Sequence, residues 1–126
     1  MLEPGLEATV EERVTEAMTA DALGSGDVPV LGTPAVLALA ERAACAAIDG
    51  RLDEDETSVG SAVELAHLAP TPLGATITAR ARLTAVDGRT LSFDVSVWNG
   101  SGEVARGTHH RVIVRREDFL QAARAR

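Results

Sequence analysis

Residues 31–48, LGTPAVLALAERAACAAI, constrain the fold most strongly, because they form a well-marked apolar helix. Their apolar residues recur every three or four positions, which is the spacing of one helix face. We predict that Thr33 caps this helix and that Pro34 occupies its first position. Asp49 and Gly50 are predicted to end it. An apolar helix of this kind needs a second apolar surface to cover it.

The rest of the chain supplies that surface, because from Thr57 onward apolar residues recur at every second position and predict strands. The first of these strands should end at His67, and its predicted inward face is Val59, Ser61, Val63, Leu65 and His67. The next two should form a hairpin through the turn VDGR, with buried faces of Ile77, Ala79, Ala81, Leu83 and Ala85, then Leu91, Phe93, Val95 and Val97. A fourth strand is predicted over 104–114, and a short helix or frayed tail over 116–126. Residues 8–18 fit either a helix or a strand. The predicted class is α+β, one helix on an antiparallel sheet.

One charged residue, Glu41, lies on the predicted inward stripe of the helix. That stripe is Leu37, Glu41, Ala44 and Ile48. An isolated buried carboxylate costs on the order of several kcal/mol, so Glu41 needs a partner or a chemical purpose. His67 is the first candidate partner, and His109 and His110, which must point to opposite faces of their strand, are the alternatives. Thr33 lies about 12 Å away along the helix axis, too far for direct contact.

Each of these residues also has a purely structural interpretation. Thr33 could be only a helix cap, His67 a hydrogen-bonded core histidine, and Glu41 one half of an ion pair. The sequence contains no metal-ligand spacing, no GxSxG, no phosphate-binding loop and no GxGxxG. The single cysteine, Cys45, excludes an internal disulfide and is expected in the core.

Length and charge exclude several classes of protein. We predict one domain over residues 1–126, because 126 residues are too few for two ordinary domains. A net charge of -7 argues against a nucleic-acid partner. No basic leader followed by an apolar segment opens the chain, and no apolar run reaches about 18 residues. We therefore expect a cytoplasmic protein that does not bind a membrane.

Three stretches of the sequence resemble one known family. They are GTPAVLALAE, VGSAVELAHLAPTPLG, and VDGRTLSFDVSVWNGSGEVARGTHHRVIVRREDF. They are similar to the hotdog-fold acyl-CoA thioesterases, most closely to the fluoroacetyl-CoA thioesterase-like group. The most specific likeness is a threonine at the helix start, a glutamate eight residues later, and a histidine at the end of the following strand.

The resemblance implies that Thr33, Glu41 and His67 form a catalytic triad. It places Gly60 in the wall of the active site and Arg111 close by. It implies a hotdog fold, in which an antiparallel sheet wraps around one long helix, and a homodimer with active sites at the subunit interface. It also implies that the first element, residues 8–18, is a strand, and that its helical spacing is misleading.

The activity implied is hydrolysis of a small acyl-CoA thioester to a free acid and CoA, with no metal and no cofactor apart from the CoA of the substrate. The alternatives are a hotdog hydratase and a non-catalytic acyl-CoA-binding module. The loop LGSGDVP, residues 23–29, lacks the phenylalanines that close over the acyl group in fluoroacetyl-specific members. Selectivity for fluoroacetyl-CoA is therefore not expected.

Overall fold

The computed structural model describes residues 2–126. Its sheet is five-stranded and antiparallel, with the strand order β1-β3-β4-β5-β2. The strands are β1 (Glu7–Arg13), β2 (Glu56–His67), β3 (Thr76–Asp87), β4 (Thr90–Asn99) and β5 (Gly102–Arg115). The helices are α1 (Ala20–Leu23), α2 (Thr33–Ala47) and α3 (Arg116–Arg124), and a 3-10 turn covers Glu16–Met18. The predicted α+β architecture, one long helix against an antiparallel sheet, is confirmed.

The core lies between α2 and the inner face of the sheet. The buried residues of α2 are Val36, Leu39, Ala40, Ala43, Ala44 and Ala47. Most are alanines, so the helix backbone approaches the sheet closely. Phe93 on β4 is the largest fully buried side chain. The predicted inward faces of β3 and β4 are confirmed except at Ala85, which a bulge after Leu83 turns outward to solvent.

Three predictions about the helix need correction. Gly32, not Thr33, is the N-cap, and the Thr33 hydroxyl contacts His67 instead. Glu41 lies at the edge of the buried face, with its side chain 39 % exposed, because the centre of that face runs through Ala40 and Ala43. Cys45 is exposed rather than buried, since it follows Glu41 by one turn along the same edge.

Strand β2 contains a bulge that changes which residues face inward. Gly60 pairs with Arg111 and Ala62 pairs with His110, so Ser61 is the extra residue. The inward residues are therefore Ser58, Gly60, Val63, Leu65 and His67. The predicted inward positions of Val59 and Ser61 are wrong, because strict alternation cannot anticipate the inserted residue. The bulge is what brings Gly60 and Val63 to the same face of the strand.

The ambiguous segment 8–18 is mostly strand. Strand β1 pairs with β3 from Glu7 to Arg13, and only the last three residues, Glu16–Met18, form a helical turn. Within residues 2–126 no helix is both long enough and apolar enough to cross a membrane.

Candidate active site

Two groups of polar side chains lie at the inner face of β2, where α2 crosses it. The first, which we call the Arg111 network, consists of Glu41, Ser58, His109 and Arg111. The second is the pair of Thr33 and His67. Helix α2 contributes Thr33 and Glu41, which are separated by about two turns, or 12 Å.

Arg111 is held by hydrogen bonds on both sides of its guanidinium. Its Nε donates to Ser58 Oγ at 2.9 Å and its Nη2 donates to the Ser58 carbonyl oxygen at 3.0 Å. Its Nη1 donates to Glu41 Oε2 at 3.2 Å and lies 3.1 Å from His109 Nε2. Since Arg111 is buried, this set of acceptors supplies the counter-charge and the hydrogen bonds that a buried guanidinium requires.

His109 is the most buried member of the network, with 2 % of the residue exposed. Its ring stacks on Phe93, with the ring centroids 6.2 Å apart. Burial lowers the pKa of His109 from its ordinary value of 6.5, partly opposed by the hydrogen bond to the Ala62 carbonyl, and Arg111 lowers it further. The imidazole is therefore neutral at neutral pH, and its 3.7 Å approach to Glu41 is not an ion pair.

Gly60 is necessary for the position of the Glu41 carboxylate. A Cβ atom at Gly60 would collide with Glu41 Oε2 and would lie 3.3 Å from His109 Cε1. The glycine does not have a positive φ angle, so the requirement is for space and not for an unusual backbone conformation. Beside it lies a cavity of about 200 Å³, lined by Leu37, Glu41, Gly60, Ser61, Ala62, Val63 and His109.

Thr33 and His67 form a direct hydrogen bond, with 2.8 Å between Thr33 Oγ1 and His67 Nδ1. The other ring nitrogen, Nε2, is buried and has no hydrogen-bond partner within residues 2–126. His67 also lines a second cavity of about 240 Å³, together with Val30, Leu31, Leu68, Ala69 and Pro70. The hydroxyl and the imidazole are thus arranged so that one can pass a proton to the other.

The five predicted site residues divide between these two groups. Gly60 and Arg111 surround Glu41, and Thr33 contacts His67. Within one chain, the structure does not place His67, the first candidate partner, beside Glu41. The partners of Glu41 are Arg111 and, at longer range, His109, one of the two alternatives. His110 points to the opposite face as predicted, where its Nδ1 lies 3.0 Å from Ser92 Oγ.

Ser58 is the member of the network that sequence reasoning missed. The sequence offers only a weak indication of this group: Ser58, Gly60, His109 and Arg111 are small or polar residues at alternate positions of two predicted strands, which the structure shows to pair with one another. The pairing of β2 with β5 could not be read from sequence alone. Among residues 2–126 no group of three or more His, Cys, Asp or Glu side chains is arranged to hold a metal ion.

Comparison with known proteins identifies close relatives. The family model described as fluoroacetyl-CoA-specific thioesterase matches residues 14–117. The fluoroacetyl-CoA thioesterase of Streptantibioticus cattleyicolor is 39 % identical over 90 residues, which cover 71 % of this chain and 65 % of that protein. The match thus spans slightly less than two thirds of that relative.

Solved structures of fluoroacetyl-CoA thioesterase are similar over nearly the whole chain. One superposes with a TM-score of 0.94 at 31 % identity, covering 100 % of this chain and 98 % of the other. A variant solved in complex with acetyl-CoA superposes with a TM-score of 0.93 at 32 % identity, covering 98 % of each chain. The hotdog fold expected from the sequence is therefore confirmed.

Proposed function

We propose that this chain, which belongs to the fluoroacetyl-CoA-specific thioesterase family, hydrolyses a small acyl-CoA thioester to the free acid and CoA. The observation that carries the proposal is the 2.8 Å contact between Thr33 Oγ1 and His67 Nδ1. A hydroxyl held against an imidazole is the arrangement that acyl transfer requires, because the imidazole can accept the proton when the hydroxyl or a water attacks the carbonyl.

Thr33 can serve this reaction in two ways. As the nucleophile, its oxygen attacks the thioester carbonyl, its proton passes to His67, and the CoA thiolate leaves; water then hydrolyses the acyl-threonine. Alternatively, the hydroxyl positions a water that attacks directly. A thiolate is a good leaving group, so neither route requires a strong general acid.

Glu41 is the third proposed catalytic residue. Its carboxylate lines a cavity whose other walls are mostly small or apolar residues, so an acyl group bound there would lie next to it. Arg111 holds one carboxylate oxygen, Oε2, so the other remains free to accept a proton or to orient a water. Gly60 leaves room for this carboxylate and forms part of the wall that the acyl group would contact.

We propose that the active enzyme is a homodimer. Strand β2 lies at one edge of the sheet, so its outer backbone groups are open to a second strand. Apolar side chains near it are exposed, including Val63 at 41 % and Leu68 at 53 %. A second copy of the chain would cover these residues and could bring the Glu41 and Thr33 groups of different protomers together.

The substrate proposed is a short acyl group carried by CoA. The cavity beside Glu41, about 200 Å³, is smaller than the roughly 300 Å³ at which pockets for drug-sized ligands begin. The solved relative that carries acetyl-CoA is consistent with a short chain. No metal or additional cofactor is needed, and a cytoplasmic location stays a prediction.

The proposal is tested by incubating the purified protein with acyl-CoAs of increasing chain length and measuring the free thiol released. We expect CoA release to be fastest for two- to four-carbon acyl groups. Binding without release would show a non-catalytic module. Addition of water to an enoyl-CoA, followed by absorbance, would show a hydratase.

A second measurement concerns fluoroacetyl-CoA. All seven residues of the loop 23–29 are exposed, and none is aromatic. The enzymatic ratio of fluoroacetyl-CoA to acetyl-CoA hydrolysis should therefore equal the ratio for hydroxide-catalysed hydrolysis. A much larger enzymatic ratio would show that other residues select the fluorinated acyl group.

A further inference from the structure

His109 has no role in the mechanism above, although it is buried against Arg111 and Glu41. An imidazole is an unusual choice for a core position, because both ring nitrogens must be hydrogen-bonded when buried. Here both are, at 2.9 Å from Nδ1 to the Ala62 carbonyl oxygen and 3.1 Å from Nε2 to Arg111 Nη1.

These two contacts determine which nitrogen carries the proton. A carbonyl oxygen can only accept a hydrogen bond, so Nδ1 must be the protonated nitrogen. Nε2 then has a lone pair and accepts from Arg111 Nη1. The same Nη1 donates its second hydrogen to Glu41 Oε2 at 3.2 Å. His109 and Glu41 therefore share one amino group of Arg111.

We propose that His109 is a positioning residue, whose neutral, Nδ1-protonated imidazole orients Arg111 and thereby fixes the Glu41 carboxylate for thioester hydrolysis. This inference rests on the proposed function for its catalytic consequence. The positioning of Glu41 by His109 through Arg111 does not depend on the proposed function.

The charged and titratable groups around His109 are few. Glu41 faces it from α2 and Arg111 from β5, while Phe93 from β4 is apolar and Ala62 from β2 offers only its carbonyl. His110 is adjacent in sequence but points to the opposite face. Protonation of His109 would place a hydrogen on Nε2. This hydrogen would be repelled by the hydrogens of Arg111 Nη1 and would point toward Glu41 Oε2. Arg111 would lose an acceptor, and Glu41 would be pulled from its position.

Two substitutions separate positioning from simple filling of the core. In His109→Gln the side-chain oxygen can occupy the place of Nε2 and accept from Arg111, but the donor to Ala62 is lost. In His109→Asn the amide can occupy the place of Nδ1 and donate to Ala62, but the acceptor for Arg111 is lost. Neither side chain titrates. The matched control is His110→Gln, which alters the neighbouring residue on the opposite face.

The catalytic experiment is kcat and KM against pH for the wild type and these three variants. We expect His109→Asn to lower kcat at least about tenfold, His109→Gln to lower it less than about threefold, and KM to change little in both. We also expect His109→Gln to lose an inflection on the acid side of the wild-type profile. His110→Gln should match the wild type. Equal losses in the Asn and Gln variants with an unchanged profile would overturn the proposal.

A second readout needs no turnover. The carboxyl carbon of Glu41 is followed by NMR in protein labelled at glutamate, with Glu41→Gln used to assign the signal. In the wild type this signal should shift a second time as His109 titrates, and His109→Gln should abolish that second shift. His109→Asn should move the signal at neutral pH. If neither substitution changes the chemical shift of the Glu41 carboxyl carbon, His109 does not position Glu41. If instead the NMR result holds but no acyl-CoA is hydrolysed, only the proposed function fails.

Discussion

Among residues 2–126, every buried polar side-chain atom of the Arg111 network has a hydrogen-bond partner, whereas in the pair of Thr33 and His67 the buried nitrogen His67 Nε2 has none. The first group is made of residues on α2, β2 and β5, which one chain folds together. The second lies where β2 ends, beside a cavity and exposed apolar side chains. The Arg111 network is thus held by hydrogen bonds within one chain, whereas the pair of Thr33 and His67 is held by a single contact.

This difference predicts how substitutions in the two groups will act. Changes in the Arg111 network should alter both the position of Glu41 and the stability of the protomer, because its members support one another. Changes in the pair of Thr33 and His67 should alter turnover with little effect on stability.

The largest effect is expected for Glu41→Gln. The amide keeps the shape of the side chain and can still accept from Arg111, but it cannot take up a proton. General acid–base groups contribute about 100-fold or more, so kcat/KM should fall by at least that factor. The thermal midpoint should fall by several degrees, because the buried Arg111 keeps a hydrogen-bond acceptor but loses its counter-charge. Glu12→Gln, which removes the surface ion pair with Arg42, is the control. Retained turnover would show that Glu41 is only a structural ion-pair partner.

Thr33→Val should have the next largest effect. Gly32 caps the helix, so replacing the Thr33 hydroxyl by a methyl group removes the contact with His67 and no capping bond. We expect kcat/KM to fall about 100-fold with an unchanged thermal midpoint, and Thr33→Ser to stay within a few-fold of the wild type. Mass spectrometry after rapid mixing with substrate tests whether Thr33 carries the acyl group. Normal turnover by Thr33→Val would restrict the catalytic set to Glu41 and His67.

Gly60→Ala tests the position of the Glu41 carboxylate by adding a methyl group beside it, without changing any polar group. The new Cβ would displace Glu41 Oε2, while the backbone conformation suits alanine. We expect a loss of kcat of about tenfold and a small fall in the thermal midpoint. Gly100→Ala provides the control, because the space around Gly100 is open. A Gly60→Ala enzyme with wild-type kcat would show that Glu41 can act from another position.

The smallest effect concerns stability at acid pH. The pKa of His109 is lowered by folding, so the unfolded chain binds its proton more readily and stability is lost as the pH falls below 6.5 toward the folded value. The slope can reach about 1.4 kcal/mol per pH unit at most. Thermal midpoints should therefore decline less steeply in His109→Gln than in the wild type as the pH is lowered from 8 to 5. Identical curves for the two proteins would show that the burial of His109 does not contribute to the loss of stability at acid pH.

The sequence was sufficient to predict the helix and the strands, because their hydrophobic periods differ and each is bounded by recognisable turns. It also singled out Thr33, Glu41 and His67, first through a charge on an apolar helix and then through a family resemblance. It misplaced the helix cap and the exposure of Cys45. Local spacing locates a helix face only to within one residue, and that margin decides which side chains are buried.

What the sequence determined by itself is the type of the long helix and of the four later strands, since both depend on local periodicity, together with the identity of most of the polar residues. Which polar residues meet was decided only by the tertiary structure. Glu41 pairs with Arg111, seventy positions away, and Thr33 with His67. The reason is the pairing of β2 with β5 and the bulge at Ser61, which set the register of the two strands and so direct Gly60, His109 and Arg111 toward the same side of the sheet. No local pattern encodes that register, because it depends on contacts between distant segments.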